Sequence, residues 1–248
     1  MKDGKSMKIQ NFVTVLLCSA VLSTAAIAAA PQVEAAHPVK ETLTNNKMKV
    51  NDTTKGYFQS VTYIDANGVT GTGTVIAKNK VVTSYNVVEG LKNSGNIEKT
   101  FVTPAKNGDI APFGSFQVES VDFEESWGNL AILTLKSNEN GQNIGDVVSV
   151  VPVTKNPSVL VCDTIMMPGY DGNKNGEMWE SQATISYNVA SHFWFNQASQ
   201  SGNYGGPIFN QQGKLIGIRT FEKYSKGVQT SAAKLSENNY EFIVKHLN

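Results

Sequence analysis

Residues 202–210 read Gly202-Asn203-Tyr204-Gly205-Gly206-Pro207-Ile208-Phe209-Asn210. Glycines flank a two-residue tip, and a short apolar run follows the proline. Glycine adopts backbone conformations that other residues avoid, and it lets amide groups approach a bound group closely. The stretch therefore predicts a tight turn with Asn203 and Tyr204 exposed at its tip. The N–H groups of Gly202, Gly205 and Gly206 are predicted to form a nest that can bind an anion.

The composition bounds the class of protein. The chain has 248 residues, 40% of them hydrophobic, which is enough for one large domain or two small ones with a sizeable core. Its formal net charge is zero, so the sequence indicates no basic face and we expect no nucleic-acid partner. No spacing typical of metal ligands occurs, and we expect neither a metal nor another cofactor.

The amino-terminal segment has the features of a targeting signal. Lysines precede a long, alanine-rich apolar run at 12–30, and small residues follow it. The run is long enough to raise a membrane anchor as the alternative. The small residues, and the absence of a positive cluster behind the run, favour a signal peptide cleaved after Ala35 or Ala36. We therefore expect a secreted, extracellular protein that is not membrane-bound after cleavage.

From Tyr57 onward the sequence has a pattern typical of strands and turns. Short runs rich in Val, Thr, Ile and aromatic residues alternate with period two, and Gly, Asn and Asp interrupt them. The predicted strands are 57–64, 71–77, 80–84, 99–103, 115–122 and 130–136, then 147–153, 158–164, 178–188, 191–196, 206–210, 214–220 and 227–232. Two sets of strands around a polar break predict two small barrels or a sandwich. Ser236 is predicted to cap a terminal helix from Glu237 to His246.

These features divide the chain into segments. We predict a signal peptide at 1–36, a loosely ordered amino-terminal arm at 37–56, a first β-barrel at 57–136 and a linker at 137–146. A second β-barrel at 147–234 and a C-terminal helix at 235–248 complete the chain.

Three segments together resemble the staphylococcal-type secreted chymotrypsin-like serine proteases, which include glutamyl endopeptidases, exfoliative toxins and the Spl proteases. They are the run 71–88 ending in Ser84-Tyr85-Asn86-Val87-Val88, the run Gly128-Asn129-Leu130-Ala131-Ile132-Leu133, and the 202–210 stretch continued by Gly217-Ile218. Their order is that of the histidine, aspartate and serine of this family. The resemblance covers residues 55–248. It implies an all-β fold of two six-stranded barrels of the trypsin/chymotrypsin type with a C-terminal α-helix.

At each position that matches the family's catalytic triad, the residue differs. Asn86 stands at the histidine position, Asn129 at the aspartate position and Tyr204 at the serine position. An amide has no basic electron pair that accepts a proton near neutral pH, so Asn86 cannot activate a nucleophile. Asn129 cannot supply the negative charge that orients an imidazolium. Tyr204 carries a bulky phenol, so the family's oxyanion hole, formed by Gly202 and Tyr204, is predicted to be vestigial.

The positions that match the specificity pocket have also changed. The resemblance places Ser199, Arg219 and Phe221 there, and Phe221 stands where the family tends to have a small residue. Arg219 at the base of a pocket would hold a carboxylate through paired hydrogen bonds. The alternative is that Arg219 points outward or pairs with an acid such as Glu222. Both interpretations remain open from the sequence.

Two classes of function follow from these residues. The first is a secreted pseudoprotease, a monomer that acts by binding another protein such as a host factor, with no peptide-bond hydrolysis. A decoy or inhibitor that occupies its target through the former substrate cleft is a variant of this class. The second is an active glutamyl-endopeptidase-like serine-type peptidase with non-standard site residues. A fluorophosphonate probe separates the two classes, because it labels only an activated nucleophile.

Overall fold

The computed structural model describes residues 46–94, 96–126, 128–172, 174–195, 197, 202–224 and 227–247, with the backbone alone at 93–94, 221–224 and 227–229. The predicted signal peptide therefore lies outside the described residues, as does the arm up to residue 45. Within the described ranges, none of the helices is both long and apolar enough to cross a membrane.

Strands make up most of the described chain. They are β1 Asn46–Lys49, β2 Val61–Ala66, β3 Val69–Ala77, β4 Lys80–Ser84, β5 Thr100–Pro104, β6 Phe116–Glu124, β7 Leu130–Leu135, β8 Thr164–Tyr170, β9 Met178–Asn188, β10 His192–Phe195, β11 Pro207–Asn210, β12 Leu215–Tyr224 and β13 Gly227–Lys234. The α-helices are α1 Tyr85–Val88, α2 Leu91–Ser94, α3 Ile144–Val147 and α4 Glu237–Lys245, and short 3-10 helices lie at Gly56–Ser60 and Ile97–Lys99.

The strands form two closed antiparallel barrels of six strands each. The first barrel has the order β2-β3-β4-β7-β6-β5. The second has the order β8-β9-β10-β13-β12-β11 and closes because β8 pairs with both β9 and β11, while β1 adds to the outer side of β9. The two-barrel, all-β fold predicted from the sequence is confirmed.

Alternating burial explains why β4 and β7 lie at the centre of the molecule. Val81 and Leu133 are paired and pack into the interior of the first barrel. Val82 and Ile132 are paired on the opposite face and pack into a second core together with residues of the second barrel such as Phe209. Successive side chains of a strand point to opposite faces, so an unbroken apolar run is buried on both sides.

The C-terminal helix closes the core between the barrels. Ile243 of α4 is fully buried there with Leu235, and Phe242 packs at the edge of the same cluster. The helix occupies nearly the predicted range. Ser236 is its N-cap residue, but the Ser236 side chain does not make the capping hydrogen bond that we expected.

The segment between the barrels departs from the predicted strands. Neither 147–153 nor 158–164 is a strand, and the next strand is β8, Thr164–Tyr170. Val148, Val151 and Val159 are nonetheless buried. These valines belong to an irregular connection that packs against both barrels. Sequence periodicity alone cannot distinguish such a buried connection from a β-strand.

The amino-terminal arm also differs from the prediction. Residues Asn46–Lys49 form β1, which pairs with β9 from Asn46 opposite Gln182 to Lys49 opposite Trp179. The side chains of this segment are mostly polar, which gave no sign of a strand. The pairing with β9 uses backbone N–H and C=O groups, which are the same whatever the side chains are. The segment is thus tied to the second barrel.

Candidate functional site

The 202–206 turn lies between the barrels, and its glycines have the conformations that the sequence predicted. Gly202 has φ +89° and Gly205 has φ +81°, in the region that favours glycine. A Cβ on Gly202 would lie 2.5 Å from the Gly172 nitrogen, and one on Gly205 would lie 2.8 Å from the Ser84 nitrogen. The turn therefore packs directly against backbone from both barrels, and only glycine fits at these two points.

Thr72 of β3 holds the turn from the side of the first barrel. Its N–H donates to the Tyr204 carbonyl at 2.9 Å, and its Oγ1 donates to the Gly202 carbonyl at 2.8 Å. The same Oγ1 accepts from the Tyr170 N–H at 3.0 Å. One buried threonine thus links β3, the turn and the end of β8.

Arg219 of β12 holds the turn from the side of the second barrel. The Gly205 N–H donates to the Arg219 carbonyl at 2.8 Å, and the Arg219 N–H donates to the Gly206 carbonyl at 2.8 Å. These bonds continue the β11–β12 ladder into the turn. The backbone of the turn is therefore bonded to both barrels.

The Tyr204 side chain bridges the barrels. It is half-buried and packs against the apolar core of the first barrel, although its backbone belongs to the turn of the second. The ring therefore lies in the cleft rather than in solvent. Asn203 is 7% exposed, so the prediction that both residues form an exposed tip is wrong for Asn203.

The structure brings Asn86 and Asn129 to the same cleft. Asn86 lies in α1, directly after β4, and the Tyr85 N–H donates to the Asn129 carbonyl at 2.7 Å. Asn129 has φ +50°, a left-handed conformation that asparagine tolerates better than most residues. Because Gly205 packs against the end of β4, the three positions Asn86, Asn129 and Tyr204 converge on one region from three separate segments.

Arg219 is buried beneath the turn and is 3% exposed, so the interpretation in which it points outward is wrong. Its guanidinium lies over the Phe195 ring, 5.6 Å from the centroid. Burial lowers the pKa of Arg219 to about 10, while the nearby Tyr204 acts in the opposite direction. The guanidinium is charged at neutral pH and sits on an aromatic face.

The other two predicted pocket residues are Ser199 and Phe221. Ser199 lies outside the described residues. Phe221 follows Arg219 on β12, where its backbone is in register with Thr230 of β13.

Sequence reasoning missed two further residues at this site. Asp171, at the end of β8, accepts a hydrogen bond from the Asn203 side chain and forms an ion pair with Lys47 of β1. Both side chains are largely buried. No local pattern marks either residue, because each has its partner far away in the sequence.

None of the three converging positions carries a histidine. His192 lies on β10 beside the Ser191 hydroxyl, and His246 follows α4 near the Phe242 carbonyl. Among the described residues, no group of three His, Cys, Asp or Glu side chains is placed to hold a metal ion. The arrangement offers hydrogen-bond donors, a buried cation and an aromatic ring.

Comparison with known proteins gives a consistent family. The model of the trypsin-like peptidase domain matches residues 71–218. A glutamyl endopeptidase of Staphylococcus aureus strain MRSA252 is 32% identical over 179 residues, which cover 70% of this chain and 50% of that protein. The corresponding protein of strain MW2 is 33% identical over 179 residues, covering 70% of this chain and 54% of that protein. The chain spans about half the length of the curated relatives it matches.

Solved structures agree on the fold. A Glu endopeptidase in complex with MPD superimposes with a TM-score of 0.70 at 23% identity, covering 82% of this chain and 97% of that one. A thermostable serine protease, AL20, from an extremophilic microorganism superimposes with a TM-score of 0.57 at 14% identity, covering 76% of this chain and 98% of that one. By fold and by sequence, the chain belongs to the trypsin-like peptidase domain family.

Proposed function

We propose that this chain is an exported member of the chymotrypsin-like serine protease family that does not hydrolyse peptide bonds and acts by binding another protein. The observation that carries the proposal is the position of the Tyr204 side chain. The turn that holds it keeps its glycine conformations and its hydrogen bonds, while the Tyr204 ring packs against the first barrel. A turn whose backbone is held by hydrogen bonds but whose tip carries a packed aromatic ring supports binding rather than catalysis.

The chemistry of the three converging positions supports the absence of hydrolysis. Attack on a carbonyl requires a nucleophile, a base to take its proton and a charge to orient the base. Tyr204, Asn86 and Asn129 supply none of these. The loss of a whole catalytic unit leaves at most the small contribution of the oxyanion-binding amides.

The burial of Arg219 bears on the relatives' specificity. The matched relatives are named glutamyl endopeptidases, and a buried guanidinium is a natural partner for a carboxylate. Here the Arg219 guanidinium is nearly inaccessible and stacks on Phe195. We therefore assign Arg219 to a vestigial pocket with Ser199 and Phe221, where it supports the turn, and we assign partner contacts to surface loops around the cleft.

The remaining parts of the proposal come from the sequence. The apolar amino-terminal segment supports export by a signal peptide, and we propose an extracellular monomer. The partner is a protein, such as a factor of a host, and not a nucleic acid or a membrane. No cofactor is part of the proposed function.

A labelling experiment tests the absence of hydrolysis. Purified protein lacking residues 1–36 is treated with a fluorophosphonate probe and, separately, with casein and a peptide library. We expect neither labelling nor cleavage. Stoichiometric labelling, or cleavage that Tyr204→Phe abolishes, would overturn the proposal in favour of an active peptidase with non-standard residues.

A matched variant shows that the assay can respond. The triple substitution Asn86→His, Asn129→Asp, Tyr204→Ser restores the residue types of a triad on the same backbone, and we expect measurable probe labelling of this variant. Binding is tested by capture of proteins from host serum on the immobilised wild-type chain. A retained protein must bind with a measurable Kd as a purified component, and failure to find such a protein in serum or tissue extract counts against the binding function.

A further inference from the structure

A buried chain of polar contacts connects the amino-terminal strand to the 202–206 turn. The Lys47 ammonium of β1 forms an ion pair with the Asp171 carboxylate at the end of β8. The other oxygen of Asp171 accepts a hydrogen bond from the Asn203 side-chain amide. Side-chain exposure is 12% for Lys47 and 3% for Asp171, so solvent screens this contact only weakly.

The residues around Lys47 make its position specific. The Trp179 ring lies 5.8 Å from the Lys47 ammonium. Burial lowers the pKa of Lys47 to about 8, and the positive charge of Arg219 adds to this effect. With this pKa the ammonium is still mostly charged at neutral pH, and it faces the Asp171 carboxylate. A buried charge of this kind is tolerated only when a partner is in place, and removing one partner leaves the other unpaired.

We propose that β1 is a strap whose Lys47 positions the 202–206 turn through Asp171 and Asn203. Thr72 holds the turn from the first barrel. On the side of the second barrel, the strap adds a side-chain restraint at Asn203 to the backbone bonds of Arg219. The turn keeps its conformation only when all of these restraints are in place. Lys47 is thus a positioning residue. This role is independent of whether the chain hydrolyses peptides, because it concerns the backbone order of the turn alone.

The placement of β1 makes the strap releasable. It is four residues long, pairs with β9, and exposes Asn46, Met48 and Lys49 to solvent. A short, exposed strand at the outside of a sheet opens at lower free energy than the barrel core. Displacement of β1 removes the Lys47 ammonium from Asp171, which leaves a buried carboxylate beside Asn203. The order of the turn is therefore coupled to the docking of the amino-terminal strand.

Hydrogen–deuterium exchange of the full chain without its first 36 residues tests this coupling. In Lys47→Met, the amides of Gly205 and Gly206 are expected to exchange about tenfold faster or more. The reason is that Asn203, whose carbonyl accepts from the Gly206 N–H, is no longer held by a paired Asp171. The amides of β7, in the first barrel, are expected to exchange at the wild-type rate. Lys47→Arg retains the charge and is expected to stay within about twofold of wild type at the turn.

Lys49→Met is the matched control. Lys49 lies on the same strand and forms a 2.6 Å ion pair with Glu177, but that pair is more exposed and does not reach the turn. An unchanged turn in Lys47→Met, or equal loosening in Lys49→Met, would overturn the proposal. If Lys47→Met does not fold, the double variant Lys47→Met, Asp171→Ala removes both charges and the acceptor of the Asn203 hydrogen bond. Wild-type protection of the turn in that double variant would equally overturn the proposal.

Discussion

The Thr72 N–H donates a 2.9 Å hydrogen bond to the Tyr204 carbonyl, which ties the first barrel to the turn of the second. The Thr72 hydroxyl adds a second bond to the same turn, at the Gly202 carbonyl. The Tyr204 ring makes a second link between the barrels, because it packs against the core of the first barrel. The geometry of the cleft therefore depends on contacts that cross between the barrels in both directions.

Thr72→Val is expected to destabilise the protein although valine has nearly the same shape. The substitution leaves the buried Tyr170 N–H and the Gly202 carbonyl without the hydroxyl that they contact. We expect a loss of about 1–3 kcal/mol in the free energy of unfolding, measured by urea denaturation. Thr70→Val, near the tip of the same hairpin, is the control and is expected to change stability by about 0.5 kcal/mol or less. Equal effects would contradict the role assigned to the Thr72 hydroxyl.

Gly205→Ala is expected to be far more damaging than Gly213→Ala, although both glycines have positive φ, +81° and +72°. A Cβ on Gly205 would overlap the Thr83 side chain and the Thr72 carbonyl, whereas one on Gly213 would meet Tyr57 at 3.6 Å, an ordinary contact. The cost at Gly213 is about 1–2 kcal/mol from backbone strain. The cost at Gly205 adds steric overlap and is expected to exceed ~3 kcal/mol. Thermal unfolding followed by circular dichroism measures both, and similar Tm values for the two variants would contradict the packing described for the turn.

Tyr204→Ser is expected to lose stability without gaining hydrolysis. The ring is half-buried against the first barrel, so its removal costs about 1–2 kcal/mol of apolar burial. The proposed function provides no base for the new hydroxyl, so a fluorophosphonate probe is expected to leave the variant unlabelled. Tyr204→Phe keeps the ring and is the control, with stability close to wild type. Labelling of Tyr204→Ser would show that a base is present in the cleft.

Glu180→Gln is expected to change how stability depends on pH. Glu180 is 9% exposed and accepts a hydrogen bond from the Tyr57 hydroxyl. Burial raises the pKa of Glu180 above its usual 4.5, although the bond from Tyr57 acts in the opposite direction. The folded state thus holds this proton more tightly than the unfolded state. The wild-type protein gains stability from protonation at low pH and loses it as pH rises through the raised pKa.

The variant cannot ionise, and its amide oxygen still accepts from Tyr57. Glu180→Gln is therefore expected to be more stable than wild type near pH ~7, with the difference vanishing below pH ~4.5. Glu177→Gln is a control of opposite sign, because the hydrogen bond from Lys49 lowers the pKa of Glu177. Its stability relative to wild type is expected to be lower at neutral pH and to recover in acid. Tm measured across this pH range for the three proteins checks both signs.

Most strands of the first barrel were predictable because their signal is local. The exception is the predicted strand 57–64, whose first four residues belong to the 3-10 helix Gly56–Ser60. The periodic apolar runs at 71–77 and 80–84 correspond to β3 and β4, whose ends lie at or within two residues of those limits. The C-terminal helix was predictable for the same reason. The connection at 147–163 was not, because its valines are buried by packing against two barrels rather than by strand pairing.

The sequence alone identified the residues of the turn and of the three compared positions, but not their surroundings. The glycines at Gly202 and Gly205 and the departures at Asn86, Asn129 and Tyr204 are legible in the sequence. The burial of Asn203 and of Arg219 depends on what packs above and below them. The ion pair between Lys47 and Asp171 joins two segments with no shared pattern.

The sequence by itself determined the functional groups at Asn86, Asn129 and Tyr204, because the capacity to donate, accept or carry a proton belongs to a side chain's covalent structure. Only the tertiary structure decided where those side chains point. The Tyr204 ring lies on the first barrel, Arg219 lies beneath the turn and Lys47 reaches Asp171. Contacts between residues distant in the chain form only when both barrels close, so no local stretch of sequence encodes them.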